Sequence, residues 1–184
     1  TLSLHDALPI YAYPPLDVRR YGALFDGATD DTTAIQNALN VAHHVNGVVL
    51  LPPGTAKFTN LTMYAYTTLQ GAGMGQTVLS RKVASTGTAL REITAAEGNA
   101  SGASGLWVRD LQIDGEGTAG DGINLGNQVP GAQLNFLSGV SNVHVREFTT
   151  GTGMTCPIGL SGSPRKRSRS EWTRTRRRTA RAIR

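Results

Sequence analysis

From Val48 onward the chain offers only brief apolar runs, each cut short by turn-forming residues. Val48-Val49-Leu50-Leu51 stops at Pro52-Pro53-Gly54, and Ala56-Lys57-Phe58, Leu61-Thr62-Met63 and Thr67-Thr68-Leu69-Gln70 follow closely. Gly71-Ala72-Gly73-Met74-Gly75 leads into Thr77-Val78-Leu79. Further strands are expected from Leu106 to Ile113, Gly122 to Leu125, Leu134 to Leu137 and Val143 to Phe148. Many short strands with turns between them indicate a β-sandwich or a β-solenoid. The 22 glycines and a charged fraction of 17% agree with a β-rich, turn-rich chain and exclude a helical bundle.

One helix precedes this series. Ala34, Ile35, Ala38, Leu39 and Ala42 share a face, whereas Gln36, Asn37, Asn40, His43 and His44 fall elsewhere. Asp26-Gly27 marks a turn before it. Asp30 or Asp31 is expected to cap its first turn, and Thr33 and Gln36 have capping-box spacing. Asn46-Gly47 should end it. A lone amphipathic helix ahead of many strands suits the end cap of a solenoid, where it covers apolar surface and blocks edge pairing. A repeat points the same way: Val108-Arg109-Asp110-Leu111 matches Val145-Arg146-Glu147-Phe148, and a glycine turn follows each, at Gly115 and Gly151.

Charge is unevenly distributed. Ten of the 18 Lys and Arg residues lie between Arg165 and Arg184, beside a single acid, Glu171. The preceding 164 residues carry a net charge of −4. Polyanion or nucleic-acid binding would therefore rest on that tail alone, and nucleic acid is disfavoured as a partner. Both ends read as foreign to the fold. Residues 1–10, TLSLHDALPI, are the codon-by-codon translation of ACTCTTTCCCTACACGACGCTCTTCCGATC, part of a common sequencing-library adapter. Residues 161–184 form an abrupt arginine-rich block of the kind a frameshift in GC-rich DNA produces, and are expected to be disordered. The folded unit is expected over 11–160, cut short at its C-terminal side. Cys156 is the only cysteine, which excludes an intrachain disulfide. No apolar stretch approaches the ~20 residues of a membrane helix, so no membrane association is expected.

Tyr21-Gly22-Ala23, Asp26-Gly27, Thr29-Asp30-Asp31-Thr32, Ala34-Ile35-Gln36 and Ala38-Leu39 closely resemble the opening of pectate-lyase-superfamily proteins. So do the strand before Pro52-Pro53-Gly54-Thr55 and the later Thr68-Leu69-Gln70-Gly71-Ala72-Gly73. The resemblance is dense over 17–80 and general over 105–155. It implies an all-β right-handed parallel β-helix (a solenoid) with an N-terminal capping α-helix. By the same resemblance the partner is a polysaccharide, often acidic, and the setting is extracellular, cell-surface or on a virion. The family includes polygalacturonases, rhamnogalacturonases, lyases, epimerases and phage tailspikes. The implied role is a fragment of a glycoside hydrolase or polysaccharide lyase. The alternatives are a non-catalytic carbohydrate-binding β-helix, a homotrimer if tailspike-like, and polyanion binding through the basic tail.

The reaction remains open at this level. Hydrolysis with inversion needs two carboxylates roughly 6.5–9.5 Å apart. A lyase needs a base for the proton α to a uronate carboxyl, often with Ca²⁺ neutralising that carboxylate. No other cofactor is evident. The Asn-Thr-Asp, Gly-His-Gly and Arg-x-Lys motifs of polygalacturonase-like relatives are absent from 11–160, and the lone Asp-Asp is Asp30-Asp31 at the helix start. The remaining candidate acids are Asp110, Asp114, Glu116 and Asp121, three of which sit in Asp-Gly or Gly-Glu-Gly turns. Gly71 to Gly75 leads into a strand, so it is not a nucleotide loop. His43-His44 reads as a solvated pair, Asn60-Leu61-Thr62 and Asn99-Ala100-Ser101 fit glycosylation acceptors, and Trp107 is a candidate sugar platform or a packed strand aromatic.

Overall fold

The computed structural model describes residues 13–92, 105–125, 138–149, 151 and 153–155. The chain enters through a 3₁₀ turn, Val18–Tyr21, which Asp17 caps by accepting from the Arg19 N–H. Strand β1 (Asp26–Asp30) leads directly into α1 (Thr32–Val45). The helix buries the face its periodicity marks: Ala34, Ile35, Ala38, Leu39 and Ala42. It ends as expected at Asn46, which takes a left-handed conformation, while the Gly47 N–H returns to the Ala42 carbonyl at 3.0 Å.

The start of the helix differs from expectation. Asp31 occupies the N-cap position, yet its carboxylate makes no capping bond. It turns back to accept from the N–H groups of Leu24 (2.9 Å) and Phe25 (3.0 Å), fixing the entry loop, where Phe25 has a φ of 55°. Those two donors are sequestered beside a buried Asp31, so satisfying them outweighs a cap that water could replace. Asp30 accepts instead from the N–H and hydroxyl of Thr32, and from Lys82. Gln36 does not close a capping box, because its amide pairs with the backbone of Thr62 on the strand below.

Ten more strands follow: β2 (Val48–Leu50), β3 (Gly54–Phe58), β4 (Leu61–Met63), β5 (Thr68–Gln70), β6 (Thr77–Arg81) and β7 (Leu90–Glu92), then β8 (Trp107–Asp114), β9 (Ile123–Asn124), β10 (Gly139–Arg146) and β11 (Met154–Thr155). Every pairing between them is parallel. They form the three faces of a right-handed parallel β-helix, the hand that parallel crossovers almost always take. The first face holds β2, β5 and the leading halves of β8 and β10. The second holds β1, β3, β6 and the trailing halves of β8 and β10. The third holds β4, β7, β9 and β11.

Register creates the core. Val49, Leu69, Val108 and Val140 stack inside the first face, Ala56, Leu79, Ile113 and Val145 inside the second, and Leu61, Leu90 and Ile123 inside the third. Each buried leucine is worth about 1.5–3 kcal/mol relative to exposure. The helix closes this column at one end, its apolar face packed into the same core.

Strand β8 spans two faces because Asp110 bends it with a φ of 56°, and Asn142 repeats the bend in β10 at 52°. One coil earlier, residues 71–76 occupy the same corner. Gly71 is required there, since a Cβ would collide with the Asp110 carbonyl and Leu111. The apparent repeat of Val108–Leu111 at Val145–Phe148 is not the coil register. Val108 pairs with Val140, and Val145 with Ile113, a coil of 32 residues at Asp110 and Asn142. Strands β1, β7 and β11 lacked an apolar run long enough to signal them. The expected Leu134–Leu137 strand, Cys156 and the segments 1–10 and 161–184 lie outside the described residues.

Candidate functional site

Side chains that alternate with the core residues point outward, and the parallel register lines them up across coils. On the second face Asp30, Lys57, Ser80, Asp114 and Arg146 form one such row. Glu116, just past β8, folds over it. Its carboxylate accepts from the Ser80 hydroxyl and from Lys57 Nζ at 3.1 Å. Those two hydrogen bonds, Ser80 first, hold the Glu116 carboxyl below its usual range. Asp114 is nearly buried and accepts from Arg146 through Nε (2.9 Å) and Nη2. Lys82 Nζ meets Asp30 at 2.7 Å and, with Thr32, lowers that carboxyl too.

The four candidate acids therefore separate. Asp114 and Glu116 share the second face, each bound to a basic partner. Asp110 sits at the bend of β8 and accepts from Asn142 Nδ2 at 2.8 Å. Asp121 lies before β9 on the far side of the following turn, with its carbonyl bonded to the Ala89 N–H. A general acid at neutral pH needs a raised carboxyl, and Glu116 is shifted the opposite way. Among the described residues no three His, Cys, Asp or Glu side chains gather as metal ligands. With Asp114 and Glu116 occupied by Arg146 and Lys57, these residues do not fit a Ca²⁺ site. His43 instead stacks on Tyr64 at 4.7 Å.

Sequence reading passed over the most deeply placed charge. Arg81 is fully buried and donates to six oxygens: the carbonyls of Thr59, Thr86, Gly87 and Ala119, Asn60 Oδ1 and Thr118 Oγ1. It ties the corner between the second and third faces across three successive coils. Desolvation lowers its pKa without a carboxylate to offset it. The available signal was alternation, since two residues after Leu79 the strand points inward again. Asn60, one of two sites that fit the glycosylation pattern, is engaged here through both its amide atoms, and the other, Asn99, lies outside the described residues.

The first face carries a second outward row, Leu50, Gln70, Arg109 and Ser141, beside Val48, Thr68, Trp107 and Gly139. The Arg109 guanidinium lies over the Trp107 ring, 4.5 Å from its centroid. The ring also leans over the next coil, where a Cβ on Gly139 would come within 2.7 Å of Cζ3. Trp107 is thus a support for Arg109 rather than a bare stacking platform for a sugar.

The chain matches the family model for rhamnogalacturonase A/epimerase, pectate lyase-like proteins over residues 16–159. It is 33% identical over 147 residues to alginate lyase 7 of Azotobacter vinelandii, covering 72% of this chain and 17% of that protein. It is 36% identical over 108 residues to mannuronan C5-epimerase AlgE6 of the same organism, covering 54% of this chain and 12% of that protein. The solved A-module of AlgE6 superposes with a TM-score of 0.64 at 33% identity, covering 75% of this chain and 39% of the module. ORF18 of Geobacillus virus E2, at 24% identity, shares the fold with a TM-score of 0.56, over 72% of this chain and 26% of that one. The chain therefore spans well under half of each of these relatives. Taken with the parallel coils and the capping helix, the match over 16–159 establishes that the chain belongs to the rhamnogalacturonase A/epimerase branch of the pectate lyase-like β-helix proteins.

Proposed function

We propose that this chain supplies the helix-capped coils of a protein that modifies an acidic polysaccharide of the alginate type, by elimination or epimerisation rather than hydrolysis. One observation carries the reading. The outward side chains run in register from coil to coil, so a polymer laid across the strands meets a new polar side chain about every 4.8 Å. The relatives named for acting on mannuronan and alginate give that polymer its chemistry. Elimination and epimerisation both begin by removing the proton α to a uronate carboxyl, a step that needs the carboxylate neutralised. Cationic side chains on an outer face suit that need, whereas hydrolysis makes no use of the carboxylate. The acid and base of the reaction are supplied outside the described residues, because the described candidate acids serve the scaffold.

Affinity electrophoresis of the full chain in gels containing polymannuronate or a neutral glucan tests this reading. Retardation by polymannuronate alone is expected, with no unsaturated product by ultraviolet absorbance and no change of C5 configuration by NMR. Equal retardation by both polymers would end the acidic-polysaccharide reading. Turnover by this chain would show that the catalytic groups had been placed wrongly.

A further inference from the structure

Most basic side chains of the described coils have an oxygen partner: Arg19 has Asp17, Lys57 has Glu116, Lys82 has Asp30, Arg146 has Asp114, and Arg81 has its six acceptors. Arg109 differs. Its Nε is shielded from water and has no acceptor, the single such side-chain atom found among the described residues. The acid beside it in sequence, Asp110, is turned away by the bend of β8 and held by Asn142. Beyond Nε the side chain is only half-buried, and its contact is the Trp107 ring rather than an acid of the fold, so its outer nitrogens remain available to a ligand.

We infer that Arg109 is the carboxylate-reading residue of the first face: it seats the carboxylate of one sugar of the acidic polymer, with Trp107 holding the guanidinium plane. This rests on the polysaccharide reading above and specifies where the acidic group is recognised. The two Nη groups, at the end of the guanidinium away from the shielded Nε, match a planar carboxylate through two parallel hydrogen bonds, which an ammonium could not offer. Stacking on Trp107 fixes the plane of the fork before the ligand arrives, and so reduces the ordering cost of binding. Gln70 and Ser141 flank Arg109 at the same register on the coils before and after it. They are placed to hydrogen-bond the hydroxyls of the neighbouring sugars. Lys57 and Arg146 on the second face are excluded from this role, since each is already neutralised by its own acid.

The test uses the full chain as wild type, Arg109→Gln and Arg109→Lys, titrated calorimetrically with polymannuronate, with the same polymer after carboxyl reduction, and with a sulfated glucan. The arginine-rich tail contributes equally to every variant and cancels in their ratios. Arg109→Gln is expected to lose roughly tenfold or more in affinity for polymannuronate while binding the carboxyl-reduced polymer unchanged. Arg109→Lys should recover only part of the loss. A misfolded variant would weaken binding to both polymers, so the selectivity ratio separates recognition from folding. Equal polymannuronate binding by wild type and Arg109→Gln would overturn this inference alone. A loss by Arg109→Gln on the sulfated glucan as large as its loss on polymannuronate would also overturn it, since Arg109 would then be a general anion contact. Failure of the wild type to bind any uronate polymer would overturn the proposed function with it.

Discussion

The first and second faces of this β-helix share the strands β8 and β10, yet they treat their outward charges in opposite ways. On the second face Lys57 pairs with the overhanging Glu116 and Arg146 with Asp114, and Asp30 is neutralised by Lys82 at the end of β6. On the first face Arg109 rests on Trp107 without an acceptor. The bend at Asp110, which divides β8 between the two faces, produces the contrast. It sends Asp110 to Asn142 and leaves Arg109 on the other side of the corner. A charge with its partners belongs to the scaffold, and a charge deprived of one by the backbone is available to a ligand.

That contrast can be broken most forcefully through Arg81, the extreme of the paired class. Arg81→Met should destabilise the fold by roughly 3–5 kcal/mol in urea titration, because it strands buried oxygens on three coils. Asp114→Ala comes next, at about 1–3 kcal/mol, since it removes a nearly buried carboxylate from Arg146 and from the Glu116 N–H. Glu116→Gln should cost less than about 1 kcal/mol, as its pairs are half exposed. Arg109→Gln should shift stability least, within about 0.5 kcal/mol, while still changing ligand affinity. A loss in Arg109→Gln as large as that in Arg81→Met would make Arg109 another structural charge and dissolve the contrast.

The acid limb of the stability profile sharpens the same point. The carboxyls of Asp30 and Glu116 are lowered in the folded state, so the unfolded chain takes up protons first. Their stabilisation is complete above the unfolded carboxylate values of ~3.9 and ~4.3, and is lost as pH falls through the folded ones. Thermal melts should therefore decline below about pH 5, and Glu116→Gln should flatten that decline while Arg109→Gln leaves it in place.

Much of the scaffold was legible because it is local. The apolar stripe of α1, the Asn46-Gly47 stop and the strands bounded by Pro52-Pro53-Gly54 are written in neighbouring residues. What escaped depends on partners far along the chain. Asp31 gave up its capping role to two N–H groups of the entry loop, six and seven residues away. The Val-Arg repeat suggested a register that the bends at Asp110 and Asn142 overrule, since aligning those two residues aligns the coils. Arg81 reads as one more polar strand end until the loops at Thr86 and Ala119 close over it. Nor could any periodicity show that Lys57 and Arg146 hold Glu116 and Asp114.

Hydroxyl-radical footprinting of the full chain, with and without oligomannuronate, tests the central claim most directly. Trp107 marks the first face and His144, exposed on the outer side of β10, marks the second. The account predicts that the oligomer protects Trp107 and leaves His144 oxidised at its free rate. Protection of His144 with Trp107 unchanged would place the ligand on the charge-paired face and contradict it.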